Sequence, residues 1–241
     1  MRTWLCESRD GGRSWGDYRF LDGEPHDRPL SITGPVLVLG DGRLACQFEA
    51  NKPYEDTRPW RQAAVWRISR DGGRRWSEYT EVANDPTGRL MYWDARYALG
   101  PNGYIVAAFW TYDREQQRDR RIHLSESCDG GRSWSAPRNC GLVGQVCHPV
   151  LLGGDRLLLV YVDRFHTRGI RAALSNDLGR SFVEDVLVYQ HPIGQAEPGK
   201  ESAPAGYLQD MELWTFGRVE AIAGLSGRCA TRSCSAAIGC C

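Results

Sequence analysis

Side chains that could cleave a polar bond stand at the starts of three short apolar segments. Asp94 and Arg96 open one segment, His148 opens the next, and Arg218 with Glu220 opens the third. A carboxyl group can transfer a proton, an arginine can bind a carboxylate through two parallel hydrogen bonds, and an imidazole can do either job near neutral pH. Together they would suit acid-assisted cleavage of an anionic sugar, with Asp94 as the acid/base and Arg96, His148 and Arg218 as substrate-binding residues.

Each of these residues also has a purely structural interpretation. Asp94 and Arg96 could form an ion pair between neighbouring units of the fold, since many ion pairs only support structure. His148 precedes Pro149 and could simply hydrogen-bond the backbone. The sequence alone leaves both interpretations open.

An octapeptide of the form Ser-x-Asp-x-Gly-x-x-Trp, with Phe once at the last position, is the second candidate site. It occurs four times, at 8–15, 69–76, 127–134 and 175–182. Aspartate at the third position can accept hydrogen bonds from its own turn, glycine permits positive φ, and the aromatic residue can anchor the hairpin onto its own sheet. Calcium would need about six to eight oxygen ligands. With one carboxylate per turn, we expect a structural role for Asp10, Asp71, Asp129 and Asp177.

The octapeptides belong to a longer repeat. Their starts are separated by 61, 58 and 48 residues, a period typical of repeat architectures. An apolar hairpin with a Gly/Asp/Asn turn precedes the later copies, at 34–48, 95–109 and 148–161. One unit is therefore four short strands, and no segment has sustained helical periodicity. The sequence predicts an all-β fold built from propeller blades.

The up-and-down order of strands sorts the connections onto two faces. The octapeptides and the tight hairpin turns share one face, and the long charged loops at 49–61, 111–121 and 162–168 share the other. Sites usually form on long loops over a rigid scaffold. The candidate residues, with Tyr112 as a possible nucleophile or an ordinary strand-end residue, are expected there. The adjacent pairs Asp113–Arg114 and Asp163–Arg164 are expected to be solvated ion pairs.

The octapeptide resembles the Asp-box, or BNR repeat, of the sialidase superfamily, and the resemblance covers residues 1–223. It implies a six-bladed β-propeller, of which this chain carries about four blades. It also implies retaining glycoside hydrolysis by a tyrosine nucleophile paired with glutamate, an aspartate acid/base and three arginines that bind the substrate carboxylate. Arg218 in "FGRVEA" is the nearest match to the first of these arginines, although Gly217 intrudes and the usual proline is missing.

The resemblance predicts an exo-acting, exo-α-sialidase-like glycosidase that removes a terminal, anionic sugar, or a fragment of one. Asp94, Tyr112 and Glu220 are the candidate catalytic residues, although no segment copies the family's glutamate or nucleophilic tyrosine motif. The alternative is a non-catalytic propeller that binds carbohydrate or protein, because Asp-boxes also occur in such proteins. A complete set of catalytic residues would separate the two.

The amino-acid composition argues against several classes of binding partner. The 241 residues carry 30 basic and 30 acidic side chains, which gives no reason to expect nucleic acid as the partner. No run of 18 apolar residues predicts a membrane span, and no signal peptide is visible, so a soluble protein is expected. No Cys/His set has zinc spacing, and neither a metal nor another cofactor is expected.

The last segment departs from the repeat. Residues 224–241 hold four of the nine cysteines and lose the apolar pattern, which suggests a truncated or out-of-frame end. About four blades cannot close the usual ring, so unpaired edges are expected. The fragment by itself is expected to be inactive or to fold poorly.

Overall fold

The computed structural model describes residues 3–21, 30–52, 55–190, 218–223 and 229–234. Within these ranges the chain forms antiparallel β-sheets and a single 3-10 turn, Pro101–Gly103, with no α-helix. The expected all-β class is confirmed. No helix in the described ranges has the length and apolar character that crossing a membrane requires.

Five sheets follow one another along the chain, and their strands run antiparallel. The first sheet contains β1 (Trp4–Glu7) and β2 (Gly16–Phe20). The second contains β3 (Leu30–Ile32), β4 (Leu37–Val38), β5 (Leu44–Ala50), β6 (Ala63–Ser69) and β7 (Glu78–Asn84). The third contains β8 (Leu90–Leu99), β9 (Ile105–Asp113), β10 (Arg118–Asp119), β11 (Arg121–Ser127) and β12 (Arg138–Val143). The fourth contains β13 (Cys147–Gly153), β14 (Arg156–Asp163), β15 (Gly169–Ser175) and β16 (Glu184–Gln190). The fifth contains β17 (Arg218–Ala223) and β18 (Cys229–Cys234).

The fourth sheet has the simplest order, β13-β14-β15-β16, as the repeat predicts for one unit. In the second sheet the first strand is instead divided into β3 and β4, which both pair with β5. Gly34 and Pro35 lie in the break, and proline cannot donate to a β-ladder. In the third sheet β8 stays continuous, but its pairing with β9 shifts register between Trp93 and Arg96. The first strands therefore differ most between units.

The hydrophobic core lies between successive sheets. Trp66 of the second sheet contacts Tyr97 of the third at 4.8 Å and Trp134 of the third octapeptide at 5.2 Å, measured between ring centroids. Phe182 of the fourth octapeptide packs on a cluster that joins the third and fourth sheets. Trp134 also packs on Tyr97 of its own sheet, at 5.8 Å between ring centroids, so the aromatic residue anchors its hairpin to its own sheet, as expected, and contacts the preceding sheet as well.

The connections lie on two faces, as the sequence predicts. The amide of Gly130 in the third octapeptide donates to the carbonyl of Gly103 in the β8–β9 turn, at 2.9 Å. In the fourth sheet the amide of Leu178 donates to Asp155, also at 2.9 Å. We call this side the turn face. The opposite side, which carries the loops after β5, β9 and β14, is the loop face.

Candidate functional site

Asp94 occupies an unusual backbone position in β8. Its φ is +50°, in the left-handed region that non-glycine residues rarely adopt, and it lies within the register shift between Trp93 and Arg96. The side chain is 22% exposed. Such conformations cost free energy and cluster at functional sites, so Asp94 is a reasonable centre for the site.

Arg96 lies two residues further along β8, and its side chain points into the protein. Only 2% of it is exposed. One guanidinium nitrogen, Nη1, donates to the carbonyls of Asp94 and Ala95 at 3.2 and 3.0 Å, and Nη2 lies 3.8 Å from the Asp94 carboxylate. Arg96 therefore holds the irregular backbone at Asp94 from inside.

Glu49, which the sequence analysis missed, reaches Asp94 from the second sheet. Its Oε1 accepts the backbone N–H of Asp94 at 2.5 Å, and its Oε2 accepts the Asn51 side-chain amide at 3.4 Å. Burial, and then the charge of Asp94, raises the pKa of Glu49 to about 7, although Arg96 acts in the opposite direction. A carboxylate at the end of the otherwise buried strand β5 was the sequence signal that could have identified it.

Tyr112 lies beside the same part of β8. Its ring stacks on Trp93 at 5.1 Å with an interplanar angle of 17°, and Trp93 meets Trp110 edge-on at 5.0 Å. Burial, and then the negative charge of Asp119, raises the pKa of Tyr112. The aromatic stack keeps Tyr112 next to the residue that precedes Asp94.

A buried polar network supports this aromatic stack. Asp119 accepts the indole N–H of Trp110 at 2.5 Å and the side-chain amide of Gln145 at 3.0 Å. Arg164 donates to the Gln145 side-chain oxygen. Gln145 precedes β13 and Arg164 follows β14, so the network joins the third sheet to the fourth at the loop face.

The first strand of the fourth sheet approaches the same region. His148 in β13 is half-buried and pairs through its backbone with Val160. Its neighbour Cys147 is fully buried; burial and then Cys140 raise the pKa of the Cys147 thiol, and Arg96 and Asp94 also act on it electrostatically. Glu49, Asp94 and Cys147 therefore bring the second, third and fourth sheets to one place.

The two remaining candidates lie on β17. The structure describes the backbone of Arg218 and Glu220, while their side chains lie outside its described part. The buried residues Val219 and Ala221 of the same strand belong to a core cluster with Val146 and Val160. β17 thus packs on the fourth sheet.

The four octapeptides share one hydrogen-bond pattern. In each copy the serine hydroxyl donates to the aspartate and accepts the N–H of the fifth residue, at 2.7 to 2.9 Å. The aspartate also accepts N–H groups that follow in the turn, at 2.8 to 2.9 Å. These bonds involve the carboxylates of Asp10, Asp71, Asp129 and Asp177.

The two Asp-Arg pairs at strand ends are not solvated ion pairs, and that expectation was wrong. Asp113 is fully buried and binds Arg89 at 2.8 Å, while Arg114 lies over the Trp60 ring at 5.2 Å. Asp163 is also buried and accepts the N–H groups of the two residues after Arg164, both at 2.9 Å. Asp113 likewise accepts the N–H groups of Glu115 and Gln116, at 3.1 and 3.0 Å. Both carboxylates therefore satisfy backbone donors of their own turns.

Metal ligands are not clustered in the part of the chain that the structure describes: no group of three or more His, Cys, Asp or Glu side chains there could hold a metal ion. The site can offer proton transfer through carboxyl groups and hydrogen bonding through arginine and imidazole.

Solved structures resemble the chain in fold. A protein of unknown function from Dyadobacter fermentans matches with a TM-score of 0.63 and 24% identity, over 77% of this chain and 51% of that one. The Hadza microbial sialidase matches with a TM-score of 0.56 and 20% identity, over 78% and 40%. The α-L-arabinanase of Penicillium chrysogenum matches with a TM-score of 0.58 and 14% identity, over 78% and 58%.

The chain shares the fold of these proteins. It spans about half of their length or less in the first two cases, and 58% in the third. No protein-family model and no curated protein matches the sequence. The structural neighbours therefore include sialidase-like glycoside hydrolases, at low sequence identity.

Proposed function

We propose that the chain is part of a six-bladed, sialidase-like β-propeller that hydrolyses a terminal, anionic sugar at the loop face. In this proposal residues 1–223 supply about four blades, and 224–241 are an atypical tail. The observation that carries it is Asp94, a partly exposed carboxyl group in a strained backbone conformation at the meeting point of three sheets.

Retaining glycoside hydrolysis needs an acid that protonates the leaving oxygen and then acts as a base. Asp94 takes this role in our proposal, because its side chain reaches solvent while its backbone is held on two sides. Tyr112 and Glu220 are proposed as the other catalytic residues, although the raised pKa of Tyr112 means that a nearby base must help it to ionise.

We change one assignment in the set of substrate-binding residues that the sequence suggested. Arg96 is buried and already donates to two backbone carbonyls, so we assign it to positioning Asp94 rather than to the substrate. His148 and Arg218 remain the proposed substrate-binding residues. The Asp-boxes are proposed to be structural, because their carboxylates are already bound within their own turns.

Hydrolysis of fluorogenic glycosides tests the proposal. The longest reading frame that contains these 241 residues would be assayed with an α-sialoside and an α-L-arabinofuranoside, since the neighbours reported above include a sialidase and an α-L-arabinanase. We expect turnover of the sialoside, and a fall of about 10²- to 10⁴-fold in kcat/KM for Asp94→Asn, since an amide cannot transfer the proton.

Asp17 offers a matched control for this experiment. It is also an aspartate with positive φ, +52°, but it lies in β2 and pairs with Arg9. Asp17→Asn should leave hydrolysis near the wild-type value. Absence of turnover, or turnover that Asp94→Asn does not change, would contradict the proposal, and binding of either sugar without turnover would favour the non-catalytic alternative.

A further inference from the structure

Among the described residues only β9 pairs with β8, and side chains bind the other edge of β8. On the other side the Gln62 side chain accepts the N–H of Tyr92 and donates to its carbonyl, both at 2.8 Å. Two residues later Glu49 accepts the N–H of Asp94 at 2.5 Å. Both side chains come from the second sheet, so they also join it to the third.

The bonds at Asp94 hold an irregular backbone, whereas those at Tyr92 do not. The backbone at Asp94 has left the regular β conformation, whereas φ at Tyr92 is not positive. The Glu49 carboxylate, which belongs to the second sheet, accepts the N–H of Asp94. The Arg96 guanidinium, which belongs to β8 itself, donates to the carbonyls of Asp94 and Ala95. A strained conformation persists only where its surroundings hold it, and here those surroundings are two named side chains.

We propose that Glu49 is a positioning residue that holds the backbone of Asp94 in its left-handed conformation and thereby sets the orientation of the Asp94 carboxyl group. Arg96 assists from inside the strand. This inference rests on the proposed role of Asp94 in hydrolysis. It adds a residue that no motif in the sequence indicates and that acts through Asp94 rather than on the sugar.

The protonation state of Glu49 depends on the charged groups around Asp94. The charged groups that act on it are Asp94 and Arg96, and the buried Tyr97 hydroxyl is also within electrostatic reach. The pKa of Glu49 is about 7, so it is largely protonated below neutral pH and can still accept the Asp94 N–H. Above pH 7 its charge adds repulsion against an ionised Asp94. A step near pH 7 in the rate profile is therefore expected from Glu49.

Three variants separate positioning from general stability. Glu49→Ala removes the acceptor, Glu49→Gln keeps an acceptor without charge, and Gln62→Ala removes the matching bonds at Tyr92. Two measurements are needed: amide hydrogen exchange at Tyr92 and Asp94, and kcat and KM for the proposed sugar substrate. The full reading frame described above is used for all of them.

Glu49→Ala is expected to expose the Asp94 amide to exchange and to lower kcat by about 10²-fold with little change in KM, as for a misplaced catalytic group. Glu49→Gln should restore protection of that amide and most of kcat, and should remove the step near pH 7. Gln62→Ala should expose the Tyr92 amide and lower stability while kcat stays near the wild-type value.

Two results would overturn the inference. One is unchanged protection of the Asp94 amide in Glu49→Ala. The other is an equal loss of kcat in Gln62→Ala, which would show a general effect of loosening β8. If Glu49→Ala does not fold, a wild-type pH profile in Glu49→Gln contradicts the proposed coupling. Absence of hydrolysis by the wild type refutes the proposed function alone, because the exchange measurement still tests Glu49.

Discussion

At the scale of single residues, carboxyl groups meet two opposite environments in this chain. The side chain of Ser14 and backbone N–H groups lower the pKa of Asp10 to about 2. Burial alone would raise the pKa of Asp129, but hydrogen bonds from Ser133, Ser127 and the Arg132 backbone together outweigh it and the pKa is also about 2. Glu49 has few donors and is buried, so its pKa is about 7. Donors favour the charged form and desolvation favours the neutral one.

This contrast predicts opposite pH dependences of stability. The pKa of Asp129 falls on folding from 3.8 to about 2, so its contribution is present above pH 3.8 and is lost as the pH falls through 2. Asp129→Asn, which cannot accept the Ser133 hydroxyl at the same atom, should lower the melting temperature at pH 7 and should differ less from wild type near pH 2. Thermal melts followed by circular dichroism from pH 2 to 8 provide the measurement.

Glu49→Gln is the contrasting variant in those melts. The pKa of Glu49 rises on folding from 4.5 to about 7, so its contribution is present below pH 4.5 and is lost as the pH rises through 7. The glutamine variant should therefore gain stability relative to wild type in that upper range. Parallel pH profiles for wild type, Asp129→Asn and Glu49→Gln would rule out both assignments.

At the scale of elements, the loop after β5 supports the first strand of the next sheet. Lys52 donates to the carbonyls of Asp56 and Arg58 at 2.6 and 2.7 Å and lies over the Trp60 ring at 5.3 Å. The carbonyl of Trp60 then lies so close to Gly88 that a Cβ there would be 2.2 Å away. The loop therefore packs directly on the link that leads into β8.

Gly88→Ala tests this contact. Gly88 has a φ of +71°, and the added methyl group meets backbone rather than a flexible side chain. We expect a loss of more than about 1 kcal/mol in the free energy of unfolding. Denaturant unfolding measures it. Gly42→Ala is the control, since Gly42 has a φ of +82° with nothing within 4 Å. Equal losses in the two variants would show that φ alone matters and that the contact with Trp60 does not.

At the scale of the whole molecule, the octapeptides connect each sheet to the one before it. Arg43 of the second sheet donates to the carbonyl of Gly130 in the third octapeptide at 3.1 Å, and Arg138 of the third sheet donates to Leu178 in the fourth at 2.7 Å. The aromatic anchors pack at the same boundaries. Trp15 of the first octapeptide has no earlier described sheet to contact and is 56% exposed.

The outer edge of the fourth sheet is also exposed. β16 pairs only with β15 among the described residues, and all seven of its residues are exposed. Val186 and Val188 are 54% and 46% exposed. Apolar edge strands with free backbone groups promote association between molecules. We expect this chain to associate as its concentration rises.

Val186→Lys should reduce that association without lowering the melting temperature, because the side chain is not in the core. Static light scattering over a concentration series measures it. Glu184→Gln on the same strand changes the net charge by the same amount while leaving the apolar surface in place. Association that is equal in both variants would show that charge, rather than the edge of β16, controls it.

The sequence by itself determined the elements and their order. Octapeptide spacing and Asp-Gly turns predicted antiparallel units, and the separation of turns from loops followed, because these signals act between atoms a few residues apart. The bonds within the octapeptides span two to four residues, as from Ser127 to Asp129 and Gly131. Asp94 was identified as a candidate because the sequence placed it at the start of a strand, and that placement was wrong, since Asp94 is the fifth residue of β8.

Only the tertiary structure decided what surrounds Asp94. The sequence did not indicate its positive φ, the inward direction of Arg96 or the role of Glu49, and it wrongly placed Asp113 and Asp163 in solvent. Glu49 reaches Asp94 across 45 residues and between two sheets. Contacts of that kind depend on how the sheets pack, so the carboxylate at the end of β5 was a signal for Glu49 itself but not for its partner Asp94. Burial at the same contact sets the proton affinity of Glu49.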